Sequence, residues 1–99
     1  MITVAVLARF EAKPGNEAQI RRFFENGLAI VESQPSTTMW IAFRIGPTTY
    51  GAFAAFANEK DRDALLAAGG PKLSREFAGL FVHPPSFEKA DVLKARLPG

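Results

Sequence analysis

The chain has 99 residues, 12 lysines and arginines against 10 acidic residues, and a formal net charge of +2. That length holds one domain, residues 1–99, and 47% hydrophobic with 22% charged residues excludes a disordered or collagen-like chain. Interspersed charges exclude a nucleic-acid-binding stripe, and the absence of cysteine excludes disulfides, thiol nucleophiles and thiolate metal sites.

Residues 2–12 predict a strand, with Ile2, Val4, Val6, Ala8 and Phe10 on one face and Thr3, Ala5, Leu7, Arg9 and Glu11 on the other. The second face is apolar in its middle, which predicts cover on both sides there. The run is far shorter than the ~20 residues of a membrane span. No basic leader precedes it, so a cytoplasmic protein without a membrane partner is expected.

Lys13-Pro14-Gly15-Asn16 breaks the extended run, and Asn16 is placed to cap a helix by accepting from its first-turn amides. Ile20, Phe23, Phe24, Gly27, Leu28 and Val31 form one apolar stripe, and the helix is expected to end near Ser33, before Pro35. Glu17, Arg21 and Glu25 mark its solvated side. Thr37–Ile45 and Thr49–Ala57 then read as two strands of a hairpin around Gly46-Pro47-Thr48. With Ile45 opposite Tyr50, one face carries Met39, Ile41, Phe43, Ile45, Tyr50, Ala52, Ala54 and Phe56. The other carries Trp40, Ala42, Arg44, Gly51, Phe53 and Ala55, and a shift of one residue in a single strand would mix the sets.

Asn58 caps a second helix with Glu59 and Asp61 in its first turn, and Ala64, Leu65 and Ala68 form its stripe until Gly69-Gly70 stops it. Pro71 opens a further helical piece with Leu73, Phe77, Leu80 and Phe81 on its apolar side. After Pro84-Pro85, Phe87–Leu97 reads as the last strand, with a slip of alternation between Val92 and Leu93 that predicts a bulge or burial on both faces.

This order predicts an α+β domain of the ferredoxin-like split βαβ type (βαββαβ), a four-stranded antiparallel sheet with its helices on one face. Apolar residues on the opposite face of the first strand and the hairpin would make a patch larger than monomers carry. The simplest cover is a second copy of the same sheet, so a homodimer through the open sheet face is expected.

The chain resembles the antibiotic biosynthesis monooxygenase-like family of the dimeric α+β barrel superfamily. The resemblance lies in Ala12-Lys13-Pro14-Gly15, in Gly46-Pro47-Thr48-Thr49-Tyr50-Gly51, in the run Phe53 to Arg62, and in the ending Pro84-Pro85 with Ala90-Asp91-Val92-Leu93-Lys94-Ala95-Arg96-Leu97-Pro98. It covers nearly the whole chain and implies a dimeric α+β barrel. The family's activities include cofactor-free oxygenation of polycyclic aromatic quinols, haem degradation and action on a bacterial signalling molecule; other members have no known reaction. Haem degradation is not expected here, because Ala8 stands where haem-degrading relatives carry asparagine, and Ala64-Leu65-Leu66-Ala67-Ala68 lacks their tryptophan and histidine. Closer relatives often carry aspartate at the position of Ala54 and histidine near Leu65, so any acid–base role there is missing or lies elsewhere.

His83, the one histidine, is a candidate base toward a phenolic substrate, with a surface position as its plain alternative. Arg44 stands among apolar neighbours and is a candidate donor to a carboxylate or enolate, or else an ion-pair partner across the dimer or to Glu11. Trp40 is placed to stack on a flat ligand or to pack in the core, and Tyr50 to donate its hydroxyl to a substrate oxygen or to brace the turn. Phe23, Phe24 and Phe56 would line an aromatic pocket, although a filled core explains them equally well. A single histidine without a carboxylate cluster predicts no metal site, no cofactor is expected, and Gly69-Gly70-Pro71-Lys72-Leu73-Ser74 lacks the spacing of a phosphate loop. Two functions follow. One is a cofactor-independent monooxygenase of a small aromatic quinol or polyketide-type compound, with His83 as base, Arg44 or Tyr50 as donor and Trp40 stacking. The other is a non-catalytic dimer that binds a small apolar metabolite or assists a neighbouring enzyme.

Overall fold

The computed structural model describes residues 1–98. Alternating apolar residues form β1 (Val4–Glu11), and the break at Lys13-Pro14-Gly15 leads into α1 (Glu17–Glu32). Gly15 takes a positive φ of 83°, a conformation that a side chain disfavours. The hairpin β2 (Thr37–Arg44) and β3 (Thr49–Phe56) follows, then α2 (Glu59–Glu76), one 3₁₀ turn (Ala78–Leu80) and β4 (Ser86–Asp91). The sheet order is β2-β3-β1-β4 with every neighbouring pair antiparallel, the ferredoxin-like arrangement expected from the order of elements. No described helix is long and apolar enough to cross a membrane.

Both helices cover one sheet face. Val4, Val6, Ala8 and Phe10 of β1 stand beside Phe56, Ala54, Ala52 and Tyr50 of β3 on that face. Their core takes Ile20 and Phe23 from α1 and Leu65 from α2, closed at one end by Leu80 and Phe81. These aromatic and aliphatic side chains, each removing apolar surface from water, supply the main drive to fold.

The hairpin register differs from the expected one by a single residue. Arg44, not Ile45, pairs with Tyr50, and a bulge between Thr37 and Met39 takes up the irregularity. The shift exchanges the faces of β2. Trp40, Ala42 and Arg44 now share the helix-side face with Tyr50, Ala52 and Ala54, Arg44 at its exposed end, while Met39, Ile41 and Phe43 join Gly51, Phe53 and Ala55 on the open face. Ile2 lies ahead of the strand proper and packs with Ala5 and Ala55, the opposite side from the one its parity suggested.

Three other boundaries move. Asn16 precedes α1 but makes no cap; its Nδ2 donates to the Lys13 carbonyl at 3.1 Å. The second helix does not stop at Gly69-Gly70 but runs through Pro71 to Glu76. Gly69 serves packing instead: a Cβ there would lie 3.2 Å from Ile30 Cγ2, so the glycine lets α1 and α2 approach. The buried stripe is accordingly Arg62, Leu65 and Gly69, with Ala64 and Ala68 exposed. Finally, β4 ends at Asp91 as an exposed edge strand rather than reaching Leu97, although Val92 still donates to the Thr3 carbonyl at 2.9 Å.

Candidate functional site

The helix-covered side of the sheet is not filled. A cavity of about 100 Å³ lies between α1, α2 and the strands. Its floor is made of small side chains, Ala8, Ala52 and Ala54, with Val6 beside them. Ala8 and Ala52 are direct cross-strand neighbours, as are Val6 and Ala54, so the methyl groups form one level patch. The walls are aromatic: Phe10, Phe23, Phe24, Trp40, Phe81 and Phe87. The helices supply Gly27, Ile30 and Val31 from α1, and Leu65, Leu66, Gly69, Gly70, Leu73 and Ser74 from α2, and Pro85 comes from the segment just before β4.

Edge-to-face contacts hold the walls in place. Phe10 lies 5.2 Å from Phe23 and 5.6 Å from Phe24, and Phe23 lies 5.1 Å from Phe81, in the range where aromatic pairs attract beyond simple burial. Among the described residues the lining has no ionisable side chain, and Ser74 carries its one side-chain hydroxyl. An apolar ligand enters such a space without loss of hydration to its surroundings, whereas a charge would be stranded without a partner.

Of the sequence-predicted binding residues, Trp40, Phe23 and Phe24 line the cavity. Phe56 does not; it is 0% exposed, packed with Val4, Val6, Ala54 and Leu65. The three predicted catalytic residues also lie outside the lining. Arg44 turns back on its own hairpin, Nε donating to the Gly46 carbonyl at 2.9 Å and Nη2 to the Pro47 carbonyl at 2.6 Å. Its guanidinium also sits 5.4 Å from the ring centroid of Tyr50, a cation–π contact. The pairing considered between Arg44 and Glu11 is not made, because the Glu11 carboxylate accepts from the Thr48 and Thr49 hydroxyls. Tyr50 is buried beside the cavity, 6.1 Å from Phe24. His83 is exposed in the turn between Phe81 and Pro85, its Nδ1 3.2 Å from the Pro84 carbonyl oxygen. Arg44 and Tyr50 are thus brought together at the hairpin end, and His83 stands apart from them.

Sequence reasoning singled out Ala8 and Ala54 only as departures from relatives and Gly27 only as part of a stripe; it did not read them, Ala52 or Gly69-Gly70 as cavity lining. The available signal was the run of small residues at the centre of the helix-facing strands, where a filled core would carry larger ones. Arg62, buried at 5% exposure, was also missed. It lies outside the cavity lining, where Nη1 donates to the carbonyls of Ala5 and Ala90 at 3.3 and 3.5 Å and joins α2 to the β1–β4 pair.

Neither a protein-family model nor a curated protein sequence matches the chain. Solved structures do. A protein of unknown function from Nitrosomonas europaea, NE2512, is 40% identical over 100% of this chain and 97% of its own, with a TM-score of 0.89. SnoaB from Streptomyces nogalater, a cofactor-independent oxygenase solved as a mutant, superposes with a TM-score of 0.78 at 17% identity, covering 94% of this chain and 95% of that one. A candidate antibiotic biosynthesis monooxygenase from Caulobacter crescentus gives a TM-score of 0.80 at 14% identity over 94% of this chain and 92% of its own.

Proposed function

Because the chain belongs to the same family as the NE2512 protein, a family with the antibiotic biosynthesis monooxygenase-like fold, we propose that it binds a small, flat, uncharged aromatic compound in the cavity beneath its helices. The observation that carries this reading is the lining itself: aromatic walls on a methyl floor, with no ionisable side chain. Dispersion and exclusion of water are the interactions such a surface offers, and they favour binding over acid–base work. The working unit is a homodimer, with the open sheet face against a second copy, and the absence of cysteine supports a cytoplasmic setting.

A second reading keeps the oxygenase chemistry, favoured by the likeness of fold to a cofactor-independent oxygenase. That reaction needs a dry aromatic site, an ionised substrate oxygen and a donor to it; dioxygen then oxidises the ring, one oxygen atom staying on carbon as a quinone carbonyl and the other leaving as water. The cavity would hold the ring against Trp40, and the substrate oxygen would project toward Tyr50 and Arg44; His83, exposed and apart from them, would have to reach that oxygen to act as base. For this the Arg44 guanidinium must leave the hairpin carbonyls that now accept its hydrogen bonds.

Two measurements separate the readings. Trp40 is the sole tryptophan and lines the cavity, so its emission reports ligand binding directly. Saturable change with neutral single-ring and fused-ring aromatics, and oxygen uptake equal to the no-enzyme blank across a quinol panel, supports the binding reading. Uptake well above the blank that falls at least tenfold in Arg44→Ala or His83→Ala establishes the oxygenase. No emission change with any aromatic, alongside no uptake, removes both.

A further inference from the structure

We infer that the cavity selects a ligand of one aromatic ring, and that Ala52 is the residue that sets this limit. The inference rests on the binding reading above and narrows it, since the resemblance in sequence points toward polycyclic quinols. Size is the first ground. The cavity measures about 100 Å³. An apolar protein cavity of roughly 150 Å³ holds benzene, whereas sites for drug-sized ligands run to roughly 300–1,000 Å³. The space takes no more than one ring, with any substituent at its open side; three fused rings exceed it.

The second ground is that the slot has fixed boundaries. Its helix-side wall cannot settle, because α1 and α2 already meet where Gly69 faces Ile30, a Cβ there falling 3.2 Å from Ile30 Cγ2. Trp40 is seated on Gly27, where a Cβ would lie 3.5 Å from Cζ2, so this wall is in ordinary packing contact with α1. The floor is rigid sheet: Ala52 is buried in the central strand β3, bonded on one side to β1 and on the other to β2. Ala52 pairs with Ala8 and with Ala42, and of this row Ala8 and Ala52 face the slot, where a branched side chain would occupy it. Valine suits a strand better than alanine does, so strand propensity does not explain the choice; the open volume does.

Calorimetric titration of the full chain tests this, with p-cresol and toluene as single-ring probes, benzoate as the charged one and anthrone as the three-ring one. We expect saturable binding of p-cresol and toluene, at least tenfold weaker binding of benzoate, and no heat from anthrone. Ala52→Val should weaken p-cresol at least tenfold while raising the melting temperature of the free protein, because it fills a void. Ala54→Val, also on the floor, gives the same result if Ala52→Val is too tight to fold. Anthrone binding more tightly than p-cresol, or unchanged p-cresol affinity in the folded valine variants, overturns the one-ring limit while leaving the binding reading standing. Silence from all four probes overturns the binding reading itself.

Discussion

Gly51 shows how tightly one position can be held from both sides. It sits in β3 between its partners Phe43 and Arg9, and a Cβ there would fall 2.6 Å from the Phe43 ring and 3.2 Å from the Ala8 carbonyl oxygen. Phe43 is at the surface and its ring can swing away, but the Ala8 carbonyl belongs to the central strand β1 and cannot. Gly51→Ala should therefore cost about 1–3 kcal/mol of stability, as overpacking does. Urea denaturation of the single variants and of the double variant with Phe43→Ala measures it. The double variant should recover part of that loss, since one of the two obstructions is gone, and equal losses with and without Phe43 would place the strain wholly on the backbone. Arg44 is a parallel case in which chemistry seen in the sequence serves the loop. A guanidinium among apolar neighbours invites a ligand, yet the hairpin turn offers unpaired carbonyls two and three residues away, and these take its donors.

The two asparagines that precede the helices look alike in sequence and differ in the folded chain. Asn58 Oδ1 accepts from the Asp61 amide at 2.9 Å, whereas Asn16 offers its amide to Lys13 and leaves the first turn of α1 uncapped. Asn58→Ala should lower stability by about 1 kcal/mol and Asn16→Ala by less than half of that, read as midpoint shifts in the same denaturant. Equal losses would mean that Asn16 caps in solution. At this scale the sequence carried the order of elements, the four strands and the helix-covered core, because periodicity records which face of an element is buried. What it did not carry was register and continuity. The turn pairs Arg44 rather than Ile45 with Tyr50, which puts Trp40 beneath the helices, and no pattern of apolar residues distinguishes the two registers when both faces of the hairpin are apolar. Gly69-Gly70-Pro71 reads as a stop, yet the close contact with Ile30 and the cover given by α1 outweigh the local preference. Phe23 and Phe24 were legible as lining because large aromatics on the buried stripe of a helix have few other places to go, whereas Trp40 was legible as a stacking residue but assigned to the other hairpin face. The alanine floor was not, since small residues signal a void only when the opposing surface is known.

At the scale of the whole molecule, the open sheet face decides how the chain exists in solution. Ile41, Phe43, Phe53 and Met39 share it with Leu7, and Ile41 is 51% exposed. The chain exposes 6349 Å², whereas a self-contained monomer of its 10.8 kDa exposes roughly 5,500 Å². The surplus is close to the ~800 Å² that each partner buries in a protein–protein interface of ordinary size. A surface of this composition is costly to leave wet, and a second copy presents the same apolar patch to it. Sedimentation equilibrium at micromolar concentration should thus give about twice the chain mass. Ile41→Asp should weaken the dimer at least tenfold, since it places an unpaired carboxylate in the interface. The same variant should keep its fold and its affinity for aromatic ligands, because Ile41 faces away from the helices and the cavity. A wild-type chain that sediments at the monomer mass throughout that range would leave the open face without a second copy to cover it. Ligand affinity lost together with the dimer in Ile41→Asp would mean that the cavity takes its shape from the partner sheet as well as from its own helices.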